Sequence, residues 1–425
     1  MLTVRCLYIT EFDNRKTIVV IFLSVGASVP KHLNRLVTQY VASMNLRDIE
    51  IIQGLALDDS YNSSQHFFIN SLFTSACDRK LIMNGLGSYI PIFLSEIPKL
   101  FDEKILKPDV ALLQVSPPDQ HGNCSYGLNN DGTQSVIRNT KKIYAQINRS
   151  MPRVHGNGFI PLNKIDFYIE HDEPLPEVDF TEKLTTVEKK IGQYVSELID
   201  DGSTLQIGVG AIPNSVLMYL IDHKNLGIHT EMLTDGVVNL IEKNVVTNRM
   251  KKIHNGKSVC TFIAGTKKLY DFVHDNPQIF SLEVDFVNDS YIIAQNPKVC
   301  AINSAIEIDL TGQACADSIG LLHYSGIGGQ LDFFRGAALS KHGKPILTLP
   351  SQTKSGISRI VNTLKEGATV TSTRGHVHYV VTEYGVAYLF GKNYQQRAKE
   401  LIRIAHPNHR ENLERQAFDR FKHLY

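Results

Sequence analysis

The chain is poor in cysteine, and its cysteines form no pattern. Six occur in 425 residues, Cys6, Cys77, Cys124, Cys260, Cys300 and Cys315, with no Cys-x-x-Cys spacing. This argues against a disulfide framework or a zinc site and fits a reducing, cytoplasmic setting. An excess of charge of one sign is also missing. Lys and Arg total 44 against 43 for Asp and Glu, so net charge points to neither nucleic acid nor an acidic membrane. No apolar run reaches bilayer-spanning length, and there is no short repeat or low-complexity tract. His121, His229, His376 and His378 lack ligand spacing, so no metal site is expected. What remains is an ordinary globular composition, 43% hydrophobic and 20% charged, in a chain long enough for two domains.

Residues 17–25 have the outline of a signal peptide: an apolar run after Arg15 and Lys16 and before Gly26, Ala27 and Ser28. Glu11 and Asp13 lie upstream, however, and the run is β-branched. Residues 18–25 therefore read as a buried strand ending in a turn, and the first dozen residues as a disordered or misassigned start. Strand-like runs then alternate with helical patterns. An amphipathic stretch covers 31–44, and strands are expected at 50–55, 109–115 and 165–169. Residues 170–181 are acidic, proline-bearing and aperiodic, which marks a linker between a first half, 1–180, and a second, 181–425. A long amphipathic helix is expected over 182–199. Further strands are expected at 204–207, 258–264, 299–303, 345–349 and 379–382. The alternation predicts α/β layers with mainly parallel strands and functional loops at the strand C-terminal ends.

Two glycine-rich runs stand out. Gly208-Val209-Gly210-Ala211-Ile212-Pro213-Asn214 follows an apolar strand and opens a helical pattern near Ser215. A strand that turns into a helix in this way leaves backbone N–H groups directed at open space, where they can hold an anion. Ser325-Gly326-Ile327-Gly328-Gly329-Gln330-Leu331-Asp332-Phe333 is the second, and a plain tight turn would explain it equally well. Glu231 lies close to the first run, in His229-Thr230-Glu231, with Asp235-Gly236 following. A carboxylate near such donors can attack a carbonyl whose oxyanion they stabilise. The plain alternative is an acid in the first turn of a helix. Lys354 and Arg359 lie in a hydroxyl-rich run after the 345–349 strand and suit phosphate or pantetheine, or are simply solvated.

Taken together and in this order, these runs resemble the acetyl-CoA hydrolase/transferase family, most closely its 4-hydroxybutyrate CoA-transferase branch. Thr382-Glu383-Tyr384-Gly385-Val386-Ala387, Val115-Ser116-Pro117-Pro118-Asp119-x-His121-Gly122 and Ile404-Ala405-His406-Pro407 belong to the same resemblance, which runs from about Gly26 to Ala417. It implies two open α/β/α domains with the active site in the cleft between them, and Glu231 as the covalent nucleophile. Coenzyme A would be a substrate, with no tightly bound cofactor, and acetate, butyrate or 4-hydroxybutyrate the class of acid. A ping-pong exchange through a glutamyl-CoA thioester would follow. Backbone N–H groups at Val209–Ala211 and Gly328–Gly329 are the expected oxyanion donors, Gly208 and Ile212 flank the first set, and Lys354 is the expected CoA contact. Glu307 is expected on a solvent face, and Glu383 as a turn acid or a lining residue. A homo-oligomer, a dimer first, is the expected assembly. The rival readings are an acyl-CoA hydrolase with the same Glu, a sugar-phosphate isomerase of similar architecture, and a non-catalytic nucleotide-binding module.

Overall fold

The computed structural model describes residues 18–58, 61, 66–179 and 184–422. The expected start of the chain lies outside them. In the first half, seven strands form one fully parallel sheet: β1 (Val19–Leu23), β2 (Ile49–Gly54), β3 (Phe67–Phe73), β4 (Gly87–Tyr89), β5 (Val110–Val115), β6 (Lys142–Ile147) and β7 (Phe167–Glu170). Their order is β4-β3-β2-β1-β5-β6-β7. The ambiguous run near the start is thus a central strand, paired on both edges. Alternation explains why it looks continuously apolar. Val19, Ile21 and Leu23 pack into one cluster while Phe22 enters another on the opposite face, so the sheet is buried on both sides.

The second half repeats the plan with β8 (Thr204–Ile207), β9 (Gly227–Ile228), β10 (Val299–Ser304), β11 (Lys344–Thr348), β12 (Tyr379–Thr382) and β13 (Gly385–Tyr388). Their order is β9-β8-β10-β11-β12-β13, parallel except for the closing β12–β13 pair. Cys300 and Ile302 of β10 join one core, and Val299 and Ala301 the other. Helices therefore cover both faces of each sheet, as the alternation of strand and helix patterns predicts.

Several expectations need correction. The 258–264 segment is not a strand of the main sheet. It splits into Ser258–Cys260 and Phe262–Ile263, each paired in its own two-stranded ladder beside the site. The helix expected near Ser215 begins at Ala211, because Pro213 is tolerated in a first turn, where its missing N–H has no partner to lose. Glu307 is buried rather than solvent-facing: its three-residue strand is covered on both edges, and its carboxylate accepts the Lys365 N–H at 2.8 Å. Strands β3, β4 and β6 were not anticipated, since their sequences mix polar residues into short runs.

Residues 171–179, after β7, lack regular structure but are tied down. Glu173 accepts from Gln146 Nε2 at 2.8 Å and from the His32 N–H at 3.1 Å. Further along, Tyr270 donates to the Pro176 carbonyl at 2.6 Å, and Val178 donates to the Gly265 carbonyl at 3.0 Å. The segment crosses from one half to the other as a strap.

Candidate active site

Glu231 belongs to no helix, which removes the helix-start reading; the next helix begins at Asp235. Its residue sits where the chain leaves β9 and bends into the short strand Met232–Leu233. Its carbonyl accepts N–H groups from Thr261 (3.0 Å) and Phe262 (3.1 Å), so the backbone is pinned. The two preceding residues fix the rest of the site. Thr230 Oγ1 accepts the Ile207 N–H at 3.1 Å, at the very end of β8 where the first glycine run starts. His229 is buried and its Nε2 donates to the Val287 carbonyl at 2.8 Å, one residue before Asn288. Burial pushes the His229 imidazole down to about 3, so it is neutral and serves as a fixed donor.

Asn288 is the partner that sequence reasoning missed. Its Nδ2 donates to Glu231 Oε2 at 3.1 Å and lies 3.4 Å from Asp332 Oδ2. Asp332, in the first turn of helix Gln330–Leu339, accepts in turn from Ser95 of the first half, Oγ at 2.9 Å and N–H at 3.3 Å. A hydrogen-bonded chain therefore runs from the nucleophile candidate across the cleft. Burial raises the Glu231 carboxyl to about 7. The Asn288 donor and the Gly329 backbone oppose that rise, and the nearby acids Asp332 and Asp131 add to it. Asp332 is itself raised to about 6, chiefly by burial.

The second glycine run lies against this group. Gly328 has φ +61°, and its carbonyl accepts the Leu94 N–H at 3.1 Å. Ile327 donates to the Tyr89 hydroxyl at 2.9 Å, and Thr74 donates to the Ser325 carbonyl at 3.1 Å. The loop is thereby stitched to the first half. At Gly329 a Cβ would fall 2.0 Å from Glu231 Oε2 and 2.2 Å from Asn288 Nδ2, so only glycine lets the carboxylate rest there.

The first run is arranged differently. Gly208 donates to the Ile302 carbonyl at 2.8 Å, so its N–H is engaged in the fold. Gly210 has φ +118° and caps helix Ala211–Met218 without a side-chain cap. The N–H groups of Val209, Gly210 and Ala211 meet no acceptor among the described residues, while the Ile212 side chain is in the core. Val209 lines the pocket in front of Glu231. Lys354 stands exposed on a hairpin loop and does not line that pocket. Glu383 is held by Ser351, whose Oγ donates at 2.6 Å and N–H at 2.9 Å, the role of a turn acid.

The pocket itself comes mainly from the first half. It encloses about 620 Å³ including its open mouth. Phe22 and Val25 follow the line of β1, Gly54 and Leu55 that of β2, Leu72 and Phe73 that of β3. Leu94, Ile97 and the turn Asn129, Asp131, Gly132 complete the wall, and Glu231, Val209 and Phe262 close it from the second half. A ligand site at the carboxyl ends of parallel strands follows the general rule for such sheets. An apolar chain with a reactive carboxylate at one end is what such a cavity can hold. Among the described residues no three His, Cys, Asp or Glu groups could share a metal ion.

This arrangement defines a two-half α/β protein with a carboxylate, backbone donors and an acyl-sized pocket in one cleft. Comparison with known proteins gives the family. Sequence profiles described as the acetyl-CoA hydrolase/transferase N-terminal and C-terminal domains match residues 14–182 and 265–417. The chain belongs to the acetyl-CoA hydrolase/transferase family. It is 49% identical to a succinyl-CoA:acetate/propanoyl-CoA:succinate CoA transferase of Fasciola hepatica, over 95% of this chain and 85% of that one. It is 47% identical to a 4-hydroxybutyrate coenzyme A transferase of Clostridium kluyveri, over 89% of each. The crystal structure of a 4-hydroxybutyrate CoA-transferase from Porphyromonas gingivalis superimposes with a TM-score of 0.79 at 37% identity, covering 96% of this chain and 95% of that one. Glu231 falls between the two matched profile segments, so its assignment rests on the site geometry and on the His-Thr-Glu run.

Proposed function

We propose that the protein is a CoA-transferase that moves coenzyme A between short-chain acyl-CoA and carboxylic acids of the acetate, butyrate or 4-hydroxybutyrate class, with Glu231 as nucleophile. The observation that carries the reading is the Glu231 carboxylate set against Gly329, bound by Asn288, at the end of an apolar pocket. In this scheme Glu231 attacks the acyl-CoA carbonyl, giving a mixed anhydride and releasing CoA thiolate. The thiolate attacks the glutamyl carbonyl, which frees the first acid as carboxylate and leaves a glutamyl-CoA thioester. The acceptor carboxylate attacks that thioester and expels the thiolate, which then takes the acyl group and restores Glu231. Each tetrahedral species carries an oxyanion. The unengaged N–H groups of Val209, Gly210 and Ala211 and the Gly329 backbone are the donors we assign to them.

Transfer rather than hydrolysis requires that water be kept from the anhydride and the thioester. The division of the chain at 180/181 is part of the proposal, supported by the two separate sheets. The cytoplasmic setting rests on the scattered cysteines, which show no Cys-x-x-Cys spacing, and a homodimer is the commonest closed assembly. Lys354 is retained as a CoA contact only through its place after β11.

The test is covalent trapping. Incubation with acyl-CoA alone should load one CoA per site. Borohydride should reduce Glu231 to an alcohol, and hydroxylamine should convert it to a hydroxamate. An adduct on Glu307 or Glu383 would show that another acid is the nucleophile.

A further inference from the structure

Among the described residues the pocket beside Glu231 is lined by no Lys, Arg or His, and the ionisable residues there are Glu231 and Asp131. Asp131 is held from both halves. Its N–H donates to Asn129 Oδ1 at 3.0 Å, its carbonyl accepts the Val284 N–H at 3.0 Å, and its Oδ1 accepts the Gly132 N–H at 2.6 Å. No cation forms an ion pair with it among the described residues. Two acids lie near it, Glu231 across the pocket and Glu283 behind. Glu283 is itself occupied, accepting from Ser135 Oγ at 2.6 Å and from Arg138 at 3.3 Å, and Asp332 stands beyond Asn288. Burial, with the Glu283 charge added, raises the Asp131 carboxyl to about 6.

A substrate chain anchored at Glu231 has to lie along this wall. An alkyl chain meets apolar side chains there, and a chain with a hydroxyl group can donate it to the Asp131 carboxylate. A second carboxylate would be desolvated beside an acid with no cation to compensate either charge, which is strongly unfavourable. We propose, on the basis of the CoA-transferase reading above, that this pocket admits the acyl chain only in uncharged form and that Asp131 is the residue that enforces the rule. Alkyl and hydroxyalkyl acids enter as simple monoanions. A dicarboxylic acid such as succinate enters with one extra proton, shared between its far carboxyl and Asp131. No covalent bond changes in that step: one proton is taken from solvent on binding and returned on release.

The experiment compares acceptor acids on the full-length protein with acetyl-CoA as donor, from about pH 5.5 to about pH 8.5. The ratio of kcat/KM for succinate to that for butyrate cancels every titration the two acids share, since both attack the same glutamyl-CoA thioester. That ratio should fall about tenfold per pH unit above about pH 6, where the shared proton is no longer supplied. The ratio of 4-hydroxybutyrate to butyrate should not fall; it should rise slightly as the Asp131 carboxylate forms and level off above about pH 7. Asp131→Asn should raise the succinate ratio at about pH 8 by about tenfold or more and flatten its slope, since an amide can donate to the far carboxylate. A succinate ratio independent of pH in the unmodified protein overturns the inference, whatever the variant does. Absence of exchange with every acid would instead overturn the CoA-transferase reading, so the two failures are distinct.

Discussion

An added side chain at Gly210 would meet nothing within 4 Å, whereas at Gly329 it would strike the Glu231 carboxylate at 2.0 Å and at Gly326 the Phe73 ring at 2.9 Å. The two glycine runs read alike in sequence, and the folded chain uses them for opposite ends. The first is open at Gly210, which frees the backbone to reach φ +118° beside N–H groups that meet no acceptor, while Gly208 is packed against β10. The second is closed: its glycines let the two halves approach until a carboxylate fits between them. Glycine content alone therefore identifies a place of close approach or unusual backbone, and only the neighbours decide which of these it is.

The largest test of this contrast removes what the closed loop surrounds. Glu231→Ala should abolish the CoA adduct and lower exchange by about 10⁴-fold to 10⁶-fold, the scale on which loss of a covalent nucleophile acts. Measured exchange close to that of the parent would leave the closed loop without a catalytic purpose. Next comes Gly329→Ala. The new methyl must displace the carboxylate by about 1 Å, and a shift of that size in a reacting group costs roughly a hundredfold. Gly210→Ala strains a backbone conformation but touches nothing, so its loss should be clearly smaller than that of Gly329→Ala. If the two losses are equal, or reversed, the comparison between loops fails.

How far the sequence carried the site depended on how local each part was. Glu231 could be singled out as a candidate because His229, Thr230 and the glycine run lie within 23 residues of it in a run that carries the family resemblance, and the structure ties His229 and Thr230 to the site. Both sheets were legible where a strand carried a run of apolar residues, as in β1 of the first and β10 of the second. Asn288 was not legible: it ends a four-residue helix in an unremarkable run, and only the Val287 contact with His229 brings it beside Glu231. The acyl pocket escaped for a related reason. Its wall is assembled from the ends of three parallel strands spread from Phe22 to Phe73, and no spacing rule links them. Glu307 was misplaced because a period-two pattern assumes one wet face, and its short strand has none.

The chain of groups behind the closed loop gives a sharper test with opposite signs. Glu231 is raised to about 7, so kcat/KM should rise with pH through that region as the carboxylate forms. The Asn288 donor favours the charged form; Asn288→Ala should therefore move this limb to higher pH. The Asp332 charge disfavours it; Asp332→Asn keeps an acceptor for Ser95 and should move the limb to lower pH. Each shift should change the rate at about pH 6 by up to about tenfold. Both variants moving the limb in one direction would mean that Glu231 does not set it.

The smallest effect concerns stability rather than rate, and it asks whether the enclosed carboxylate carries a cost in the resting protein. The folded-state value of Glu231 lies above its ordinary value of 4.5, so the folded chain binds this proton more tightly than the unfolded chain does. The stabilisation is complete below the unfolded value and is lost as pH rises through about 7. Glu231→Gln mimics the protonated form at every pH. Its Tm should match that of the parent near pH 4.5, exceed it progressively as pH rises, and level off a few degrees higher above about pH 7. Titrating groups that do not interact with Glu231 act equally in both proteins and cancel in the difference. A Tm difference that does not change with pH would show that Asn288 and Gly329 already compensate the charge in full. The carboxyl would then not be raised in the folded protein, and the contrast with the open loop would rest on geometry alone.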